Sequence, residues 1–498
     1  RRSVLVLDVG APRNAAAGHV HNFLTRDGVP PGKLLEIGRD EVRRYGGRVE
    51  RGEVTALHCD GDQFRIEVDG CHVGARQVLL ATGVTDELPD IPGLAERWGV
   101  DVLHCPHCHG WEVRDRRVGI LSTGPFTAHA ATLFRALSNQ ITVLDHVGPA
   151  STAEQREQFD ALGIRVVAGE VTQVESGSDG MTGVRLADGT TVGLDALVVT
   201  PRVHARVQPL AALGIEAVEV EVGSHCVGEL VKVDATGATS QPGVWAAGNV
   251  TDIQSQVISS AASGLVVGAA INATLIAEDT ERAVREHRYE RVYGEAAWDE
   301  RYASHTHIWS GSPNPVLVAE VAGLSPGTAL DAGAGEGADA CWLAATGWKV
   351  TGVELSSVAL ERAAQHATER GLEVTWRHID LSAHPAPRSY DLVSAFFLHL
   401  PVESRRSLLE HLAAAVAPGG TLLIVGHHPS DGKVFPRPTL AETSWTPEEI
   451  ALSLDDGWTI EVAEARPRRV PHPEDGHEVI IHDAVLRARR NRHNTEAA

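Results

Sequence analysis

The sequence contains no apolar run as long as a membrane-spanning helix requires. Its most apolar stretch, residues 264–277, is shorter than the roughly 20 residues needed and includes Asn272. The first residues also lack the basic segment and apolar segment of a secretory leader. We therefore expect a cytoplasmic protein without a membrane partner.

Cysteine and positive charge are also scarce. Only six cysteines occur in 498 residues, and only Cys105 and Cys108 lie close together. This spacing fits a reducing compartment with one redox pair better than a disulfide framework. Lys and Arg number 44 against 66 Asp and Glu, and the net charge of −22 argues against nucleic acid as a partner.

The chain is long enough for two or three domains, and its pattern restarts once. Glycine-rich turns or helical segments separate strand-like runs at residues 4–8, 77–83, 118–124, 140–146 and 196–200, as in parallel βαβ sheets. A charged stretch at 278–303 precedes a new strand, glycine loop, helix and strand at 328–356. We predict a first domain at 1–284, with an inserted lobe at about 104–225, a second domain at 285–487 and a polar tail at 488–498.

The segment HCPHCHG at 104–110 places two thiols three positions apart. In a helical turn the two sulfurs share a face, which allows a disulfide or a thiolate at the start of a helix. Half of a zinc site and an inert buried pair are the alternatives, although zinc normally requires two further ligands. The spacing favours a redox centre without a metal, formed by Cys105 and Cys108.

The residues around this segment resemble the low-molecular-weight thioredoxin reductases and their thiol-oxidase relatives of the gliotoxin and holomycin type. The resemblance covers residues 1–277 and rests on three motifs in order: LLATGV at 79–84, CPHCHGWE followed by VGILSTG, and PGVWAAGNVTD at 242–252. It implies a two-lobed FAD- and NAD(P)-binding fold in a homodimer. The implied FAD-contacting residues are Asp8, Thr82, Gly83, Gly248, Asn249, Gln256 and Val257.

The same resemblance implies separate roles for the two cysteines. Cys108 would lie over the flavin, and Cys105 would exchange with the dithiol or disulfide of a small-molecule substrate. His109 stands where reductases have a proton-donating aspartate, which is typical of the thiol-oxidase branch. The resemblance thus implies Cys105, Cys108 and His109 as catalytic residues.

The turn that the resemblance assigns to nicotinamide binding departs from the family pattern. Of its expected glycines only Gly124 remains, because Ser122 occupies the tight turn. The next strand ends at Asp145, and an acid at this place favours NADH over NADPH. Dithiol oxidase and reductase therefore both stay open as activities.

The strand and glycine loop with which family members hold the FAD pyrophosphate are not found in this sequence. Residues 1–10 resemble the strand after that loop, with Asp8 at the adenosine ribose. Either the chain is a fragment that lacks its N-terminal residues or it binds FAD poorly, and we expect the fragment.

LDAGAGEGA at 330–338 follows a strand and opens a helix, and Glu354 ends the next strand. A glycine loop with an acid about twenty residues later is typical of a nucleoside bound through its ribose hydroxyls. With HIDLS, YDLVSAFFLHLP and AVAPGGTLLIVGHHP downstream, residues 298–487 resemble class I S-adenosylmethionine (SAM) methyltransferases of the tellurite-resistance and thiopurine group. This resemblance implies SAM contacts by Asp331, Gly333, Gly335, Glu354 and Asp380.

These observations predict an α/β protein with two Rossmann-like FAD/NAD(P) lobes followed by a Rossmann-like methyltransferase domain. The function expected is a flavin-dependent dithiol/disulfide oxidoreductase fused to a methyltransferase acting on small-molecule thiols. His399, His427 and His428 are candidates to line the acceptor site, and the alternative for each is a surface histidine near a strand end. The alternative is an active methyltransferase attached to a flavoprotein-like scaffold that has lost its catalytic function.

Overall fold

The computed structural model describes residues 2–61, 63–148, 150–386, 389–400, 402–433, 443–472 and 475–492. Its contacts divide the chain into two compact units, Arg1–Ala277 and Glu278–Ala498. The predicted boundaries at 284 and 487 remain predictions.

The first unit contains nineteen strands in its described residues. They are β1 (Leu5–Asp8), β2 (Arg48–Arg51), β3 (Val54–Asp60), β4 (Gln63–Val68), β5 (Cys71–Ala75), β6 (Val78–Leu80), β7 (Val84–Glu87), β8 (Val102–Leu103), β9 (Arg117–Leu121), β10 (Gln140–Asp145), β11 (Arg165–Ala168), β12 (Val171–Gly177), β13 (Gly180–Leu186), β14 (Thr191–Gly193), β15 (Ala196–Val198), β16 (Arg202–Ala205), β17 (Val218–Val222), β18 (His225–Leu230) and β19 (Val244–Ala246). The helices are α1 (Pro31–Arg44), α2 (Pro106–His109), α3 (Thr127–Arg135), α4 (Ala153–Leu162) and α5 (Val257–Tyr293).

One parallel sheet of the first unit has the order β11-β10-β9-β15-β8. Its strands are apolar on both faces, as buried parallel strands usually are. On one face they pack against Phe134 of α3 and Phe159 of α4. The antiparallel sheet β12-β13-β14 adds a second core around Val184 and Leu194. This lobe carries α2 and the nicotinamide-type turn.

The remaining strands of the first unit form smaller sheets. Two are parallel pairs, β1-β2 and β6-β19, and the others are β3-β4-β5 and β17-β18-β16-β7. The core beside β6 and β19 contains Leu57, Phe64 and Leu210. The C-terminal end of β6 and the turn after β19 therefore lie together, which places the two predicted flavin motifs side by side.

Helix α5 is longer than its apolar run suggested. It extends over 37 residues, and Val267 packs against Trp245 and Ala247. By length and composition alone the helical stretch Val257–Ser304 could cross a membrane, since one 18-residue window has a mean hydropathy of 1.6 and is 6% buried. Our expectation that no segment is long and apolar enough to cross a membrane was therefore wrong by this criterion. Core helices of soluble proteins meet the same criterion, so the finding is weak evidence.

The second unit is built on one seven-stranded sheet of order β22-β21-β20-β23-β24-β26-β25. Its strands are β20 (Thr328–Ala332), β21 (Lys349–Glu354), β22 (Val374–His378), β23 (Tyr390–Phe396), β24 (Val416–His427), β25 (Trp458–Pro471) and β26 (Glu478–Arg490). Its further helices are α6 (Glu295–Ser304), α7 (Pro315–Val321), α8 (Ala338–Ala345), α9 (Ser357–Glu369), α10 (Val402–Ala414) and α11 (Pro447–Leu452). Only β26 runs antiparallel to its neighbours β24 and β25.

Buried side chains cover both faces of this sheet. Leu330, Val393 and Leu422 belong to one core, and Leu392, Leu423 and Val485 belong to the other. Strand β26 continues to Arg490 because Ala488 is fully buried and pairs with Leu422. Residues 493–498 of the predicted tail lie outside the described residues.

Candidate active sites

The two cysteines of the first unit lie at the start of the short helix α2. Cys105 is its extended N-terminal flanking residue, with φ −118° and ψ 126°, and Pro106 is its first helical residue. Both thiols are free and half-buried. Among the described residues, the one group of possible metal ligands is His472, Asp475 and His477, and the absence of a metal at the cysteine pair stays a prediction.

The environment of Cys105 stabilises a thiolate. The Cys108 thiol donates a hydrogen bond to its sulfur, and with help from the backbone N–H groups of His107 and Cys108 the pKa of Cys105 falls to about 6. The same interaction raises the pKa of Cys108, and so does burial. In the dithiol state Cys105 is therefore the thiol that ionises more readily, and Cys108 holds the proton.

The His109 ring lacks hydrogen-bond partners among the described residues. Both of its ring nitrogens are buried, and neither has a hydrogen-bond partner there. Burial lowers the pKa of His109, so the ring is neutral at physiological pH. A buried imidazole without partners normally costs free energy, and a bound group beside it would supply the partner.

The residues predicted to hold FAD also leave space or a polar group for a bound molecule. Gly83 has φ +69° with open space beside it, and Thr82 Oγ1 donates to the carbonyl of Arg206 at 2.7 Å. Gly248 has φ +80°, and the buried hydroxyl of Ser260 beside it has no partner among the described residues. A bound flavin could approach the open Gly83 backbone and give the Ser260 hydroxyl a hydrogen-bond partner.

The other predicted FAD residues occupy the ends of elements. Asp8 accepts from the Gly10 N–H at 2.8 Å and pairs with Arg39 at 2.5 Å, and the Arg39 hydrogen bond is the main reason that the pKa of Asp8 is lowered. Asn249 donates to the carbonyl of Ser255 at 2.8 Å. Gln256 and Val257 lie at the start of α5.

Residues 10–28, which the motifs did not single out, contact the cysteine helix. Asn22 donates to the His107 carbonyl at 2.8 Å, and His21 Nε2 lies 2.7 Å from Glu112. That contact with Glu112 raises the pKa of His21. Arg13 forms a two-point ion pair with Asp86 at 2.5 and 2.8 Å. Its charge offsets part of the increase in the pKa of Cys108 that the Cys105 contact and burial cause. No local signal in the sequence marks these long-range contacts.

In the nicotinamide-type turn, Ser122 stands in place of the first glycine. The side chain of Ser122 is buried, and Thr127 Oγ1 donates to the Gly124 carbonyl at 2.9 Å. Asp145 accepts from Ser151 at 2.9 Å and lies 3.7 Å from Arg156. Arg156, on α4, therefore places a positive charge near Asp145, the residue predicted to contact the ribose. This charge was not considered when the sequence was taken to favour NADH.

The cysteine pKa predicts a pH profile for alkylation of the protein. The rate of Cys105 modification by iodoacetamide should rise with pH through a midpoint of about 6 and reach a plateau near neutrality. Mass spectrometry of the modified peptide separates Cys105 from the exposed Cys59 and Cys71. A midpoint near that of an ordinary thiol, about 8.5, would contradict the assigned thiolate.

In the second unit the glycine loop joins β20 to α8. Gly333, at φ +75°, leaves no room for a side chain, because an added Cβ would lie 2.3 Å from Leu398. Gly335, at φ +51°, donates its N–H to Glu354 at 2.9 Å, and Glu354 also accepts from Leu355 and Ser356. The predicted residues Gly333, Gly335 and Glu354 thus come together at the ends of two adjacent strands.

Asp331 and Asp380 complete the predicted set. Asp331 is buried at the end of β20 and accepts from Ser394 at 3.2 Å, while its other oxygen has no partner among the described residues. Burial raises its pKa, and the nearby Asp339 and Glu354 add to the shift. Asp380 accepts from the Ser382 N–H and hydroxyl at 2.8 and 2.7 Å. Together with Glu354, these carboxyl groups place hydrogen-bond acceptors near the ends of β20, β21 and β22, and the ammonium and hydroxyl groups of SAM require such acceptors.

Aromatic residues before the sheet cover the glycine loop. Trp309 Nε1 donates to the Tyr302 hydroxyl at 3.0 Å, and both side chains lie within 3.4 Å of the Cβ position of Gly335. Glu336 anchors this segment by accepting from the N–H groups of Ile308 and Trp309, each at 3.1 Å. Arg362 pairs with Glu336 at 2.9 Å and also donates to the Tyr302 carbonyl. These contacts over the glycine loop were not predicted from the sequence, because tertiary structure brings their residues together.

Two family models match separate parts of the chain. The pyridine nucleotide-disulphide oxidoreductase model matches residues 6–267, and a methyltransferase domain model matches residues 329–420. Both are enzyme families; the first uses FAD and NAD(P)H and the second uses SAM. The predicted fold class and these cofactors are confirmed.

Individual relatives match the first part of the chain. Thioredoxin reductase tcpT of Claviceps purpurea is 31% identical over 289 residues, which are 56% of this chain and 88% of the relative. Thioredoxin reductase sirT of Leptosphaeria maculans is 28% identical, with the same shares of the two chains covered.

Two solved structures also resemble this part. HlmI has 40% identity and a TM-score of 0.53, with 57% of this chain and 89% of that chain covered. An oxidoreductase from Agrobacterium tumefaciens has 31% identity and a TM-score of 0.52, with 55% and 91% covered. The resemblance to thioredoxin reductases of the gliotoxin and holomycin type is confirmed.

Proposed function

Because the chain belongs to the pyridine nucleotide-disulphide oxidoreductase family, we propose that its first unit interconverts the dithiol and disulfide forms of a small molecule. The second unit, in this proposal, transfers a methyl group from SAM to a small-molecule thiol. The observation that carries the first part is the cysteine pair, in which the Cys108 thiol donates to the Cys105 sulfur and lowers the pKa of Cys105 to about 6. His109, the next residue in sequence, has two buried ring nitrogens without a hydrogen-bond partner among the described residues.

The exchange step follows from the two cysteine pKa values. The Cys105 thiolate attacks one sulfur of a substrate disulfide, forms a mixed disulfide and releases the other sulfur as a thiolate. Cys108 then gives up its proton and attacks Cys105, which frees the substrate dithiol and leaves the Cys105–Cys108 disulfide. Dithiol oxidation is the reverse sequence. The neutral His109 imidazole is the base we assign to the Cys108 proton.

When bound, FAD would supply the two-electron acceptor or donor that resets the cysteine pair. Thr82, Gly83, Gly248 and Asn249 would hold it, and Ser260 offers a further hydroxyl. NAD(P)H binding would use Gly124 and Asp145, although the turn at Ser122 departs from the usual glycine pattern.

In the second unit, SAM would supply the electrophilic methyl group. Asp331, Gly333, Gly335 and Asp380 would bind it, and Glu354 can accept from a ribose hydroxyl, since its three backbone contacts leave one lone pair. Tyr302 and Trp309 lie beside Gly335 and would shield the bound donor from water. Displacement at the methyl carbon needs this dry, ordered approach.

Visible absorption tests the flavin half directly. We expect the full chain, incubated with FAD and desalted, to retain a flavin spectrum that dithiothreitol bleaches under argon. Recovery in air would assign oxygen as the acceptor, whereas bleaching by NADH or NADPH would assign a reductase. Protein that retains no flavin but binds SAM in calorimetry would contradict the proposal and leave the first unit as a scaffold.

We further propose a homodimer formed through the first unit. In support, α5 exposes Leu265, Val266 and Ile276, with 76%, 53% and 52% of their surface accessible. Large apolar side chains at neighbouring exposed positions often mark an interface. Light scattering at the mass of one chain would contradict this assignment.

A further inference from the structure

Two histidines of the second unit stack at one edge of the sheet. His399 follows β23 and His427 ends β24, and their ring centroids are 5.0 Å apart with an interplanar angle of 25°. Since β23 and β24 are parallel, both residues lie at the carboxyl ends of their strands, where open α/β sheets bind ligands. The pair therefore lies on the edge of the sheet that carries Asp331 and Glu354.

The loop that carries His399 contacts the glycine loop. The Leu398 side chain fills the space beside Gly333, where an added Cβ would lie 2.3 Å from its Cδ2 atom. The preceding Phe397 adopts φ +53°, a left-handed conformation that is strained for a bulky residue. Strain of this kind is retained where the backbone has to aim a side chain. Here the strained residue lies two positions before His399, in the loop that packs against Gly333.

Aromatic rings surround the histidine pair. Tyr293 lies 5.3 Å from His399, and Phe397 lies 4.7 Å from His427, in each case between ring centroids. The result is a patch with apolar walls and two imidazoles. An acceptor with a planar or apolar body and one weakly acidic group fits this chemistry.

We propose that His399 and His427 form the acceptor base of the methyltransferase unit and remove the proton of a thiol with an ordinary, near-alkyl pKa. This inference rests on the proposed thiol methylation and assigns the class of thiol. The acceptor R–SH loses its proton to an imidazole nitrogen, and the sulfur pair forms the S–CH3 bond. The methyl–sulfonium bond of SAM breaks, and S-adenosylhomocysteine leaves without charge on its sulfur. The imidazolium then releases the proton to water.

Imidazole bases matter most for acceptors that are protonated at neutral pH. An alkyl thiol is mostly protonated there, whereas an acidic aryl thiol is already a thiolate and needs no base. The ratio of the two rates in one protein therefore reports the base and does not depend on how much protein is folded.

The test compares methylation of benzyl mercaptan and 4-nitrothiophenol by the full chain, His399→Gln and His427→Gln. We expect kcat/KM for benzyl mercaptan to fall about 100-fold in each variant. For 4-nitrothiophenol it should change less than about 3-fold, since no proton has to be removed. His477→Gln, on the β25–β26 hairpin, is the matched control and should resemble the unmodified chain with both thiols.

Two outcomes would overturn this assignment in distinguishable ways. Equal losses with both thiols would mean that the histidines only support the structure, and thiol methylation would stand. Failure of the unmodified chain to methylate either thiol would instead refute the proposed methylation itself, together with the base that depends on it.

Discussion

Cys108→Ser is expected to abolish dithiol–disulfide turnover while leaving Cys105 a reactive thiolate. Serine cannot form the Cys105–Cys108 disulfide, so turnover should fall by at least about 1,000-fold. A serine hydroxyl can still donate to the Cys105 sulfur, which is the contact that lowers the pKa of Cys105 most. Oxidation of dithiothreitol by the FAD-loaded protein measures the first effect, and the pH profile of iodoacetamide alkylation measures the second.

Cys108→Ala separates these two roles. Alanine removes the donor as well as the sulfur, so the alkylation midpoint of Cys105 should move upward from about 6 while turnover stays abolished. Cys71→Ser, at an exposed cysteine outside the motif, is the matched control and should retain turnover. Residual turnover above about a tenth of the unmodified rate in either Cys108 variant would contradict the cysteine-pair assignment.

Glu354→Gln is expected to weaken SAM binding about 10- to 100-fold without affecting the first unit. One amide –NH2 would face the N–H donors of Gly335 or of Leu355 and Ser356, and an unsatisfied buried donor costs about 1–3 kcal/mol. The glycine loop would then lose the contact that fixes Gly335. Titration calorimetry with SAM and S-adenosylhomocysteine measures the affinity.

Another glutamate of the second unit serves as the control. Glu373 is exposed just before β22, and Glu373→Gln should leave the affinity for SAM unchanged. An unaltered affinity in Glu354→Gln would place the SAM ribose elsewhere. A matching loss of flavin binding would show that the change unfolds the protein generally.

Sequence patterns predicted the parts of the sites that are contiguous in the chain. The Cys105–Cys108 spacing and the loop after Asp331 each place their groups within one turn, so local geometry is enough to recognise them. The α/β class followed from the same alternation of apolar strands and glycine turns. The antiparallel β26 and its extension to Arg490 were not anticipated, since strand direction depends on pairing with β24.

Residues that act through distant contacts were not predicted. Asn22 reaches His107 across 85 positions, and Glu336 holds the backbone at Trp309 across 27. Arg156 approaches Asp145 from α4, where the sequence argument considered only the strand end. Such pairs need the fold to bring them together, and no periodicity or motif encodes them.

The glycine after His109 limits how this redox centre can diversify. A Cβ at Gly110 would lie 2.3 Å from the Pro106 carbonyl oxygen and 2.4 Å from Leu137, so every other amino acid collides with the backbone of α2. Selection for a new substrate therefore cannot act at this position without dismantling the turn that sets the Cys105 thiolate. A variant library intended to alter substrate preference should keep Gly110 fixed and randomise the half-buried His21 and the exposed His107 instead.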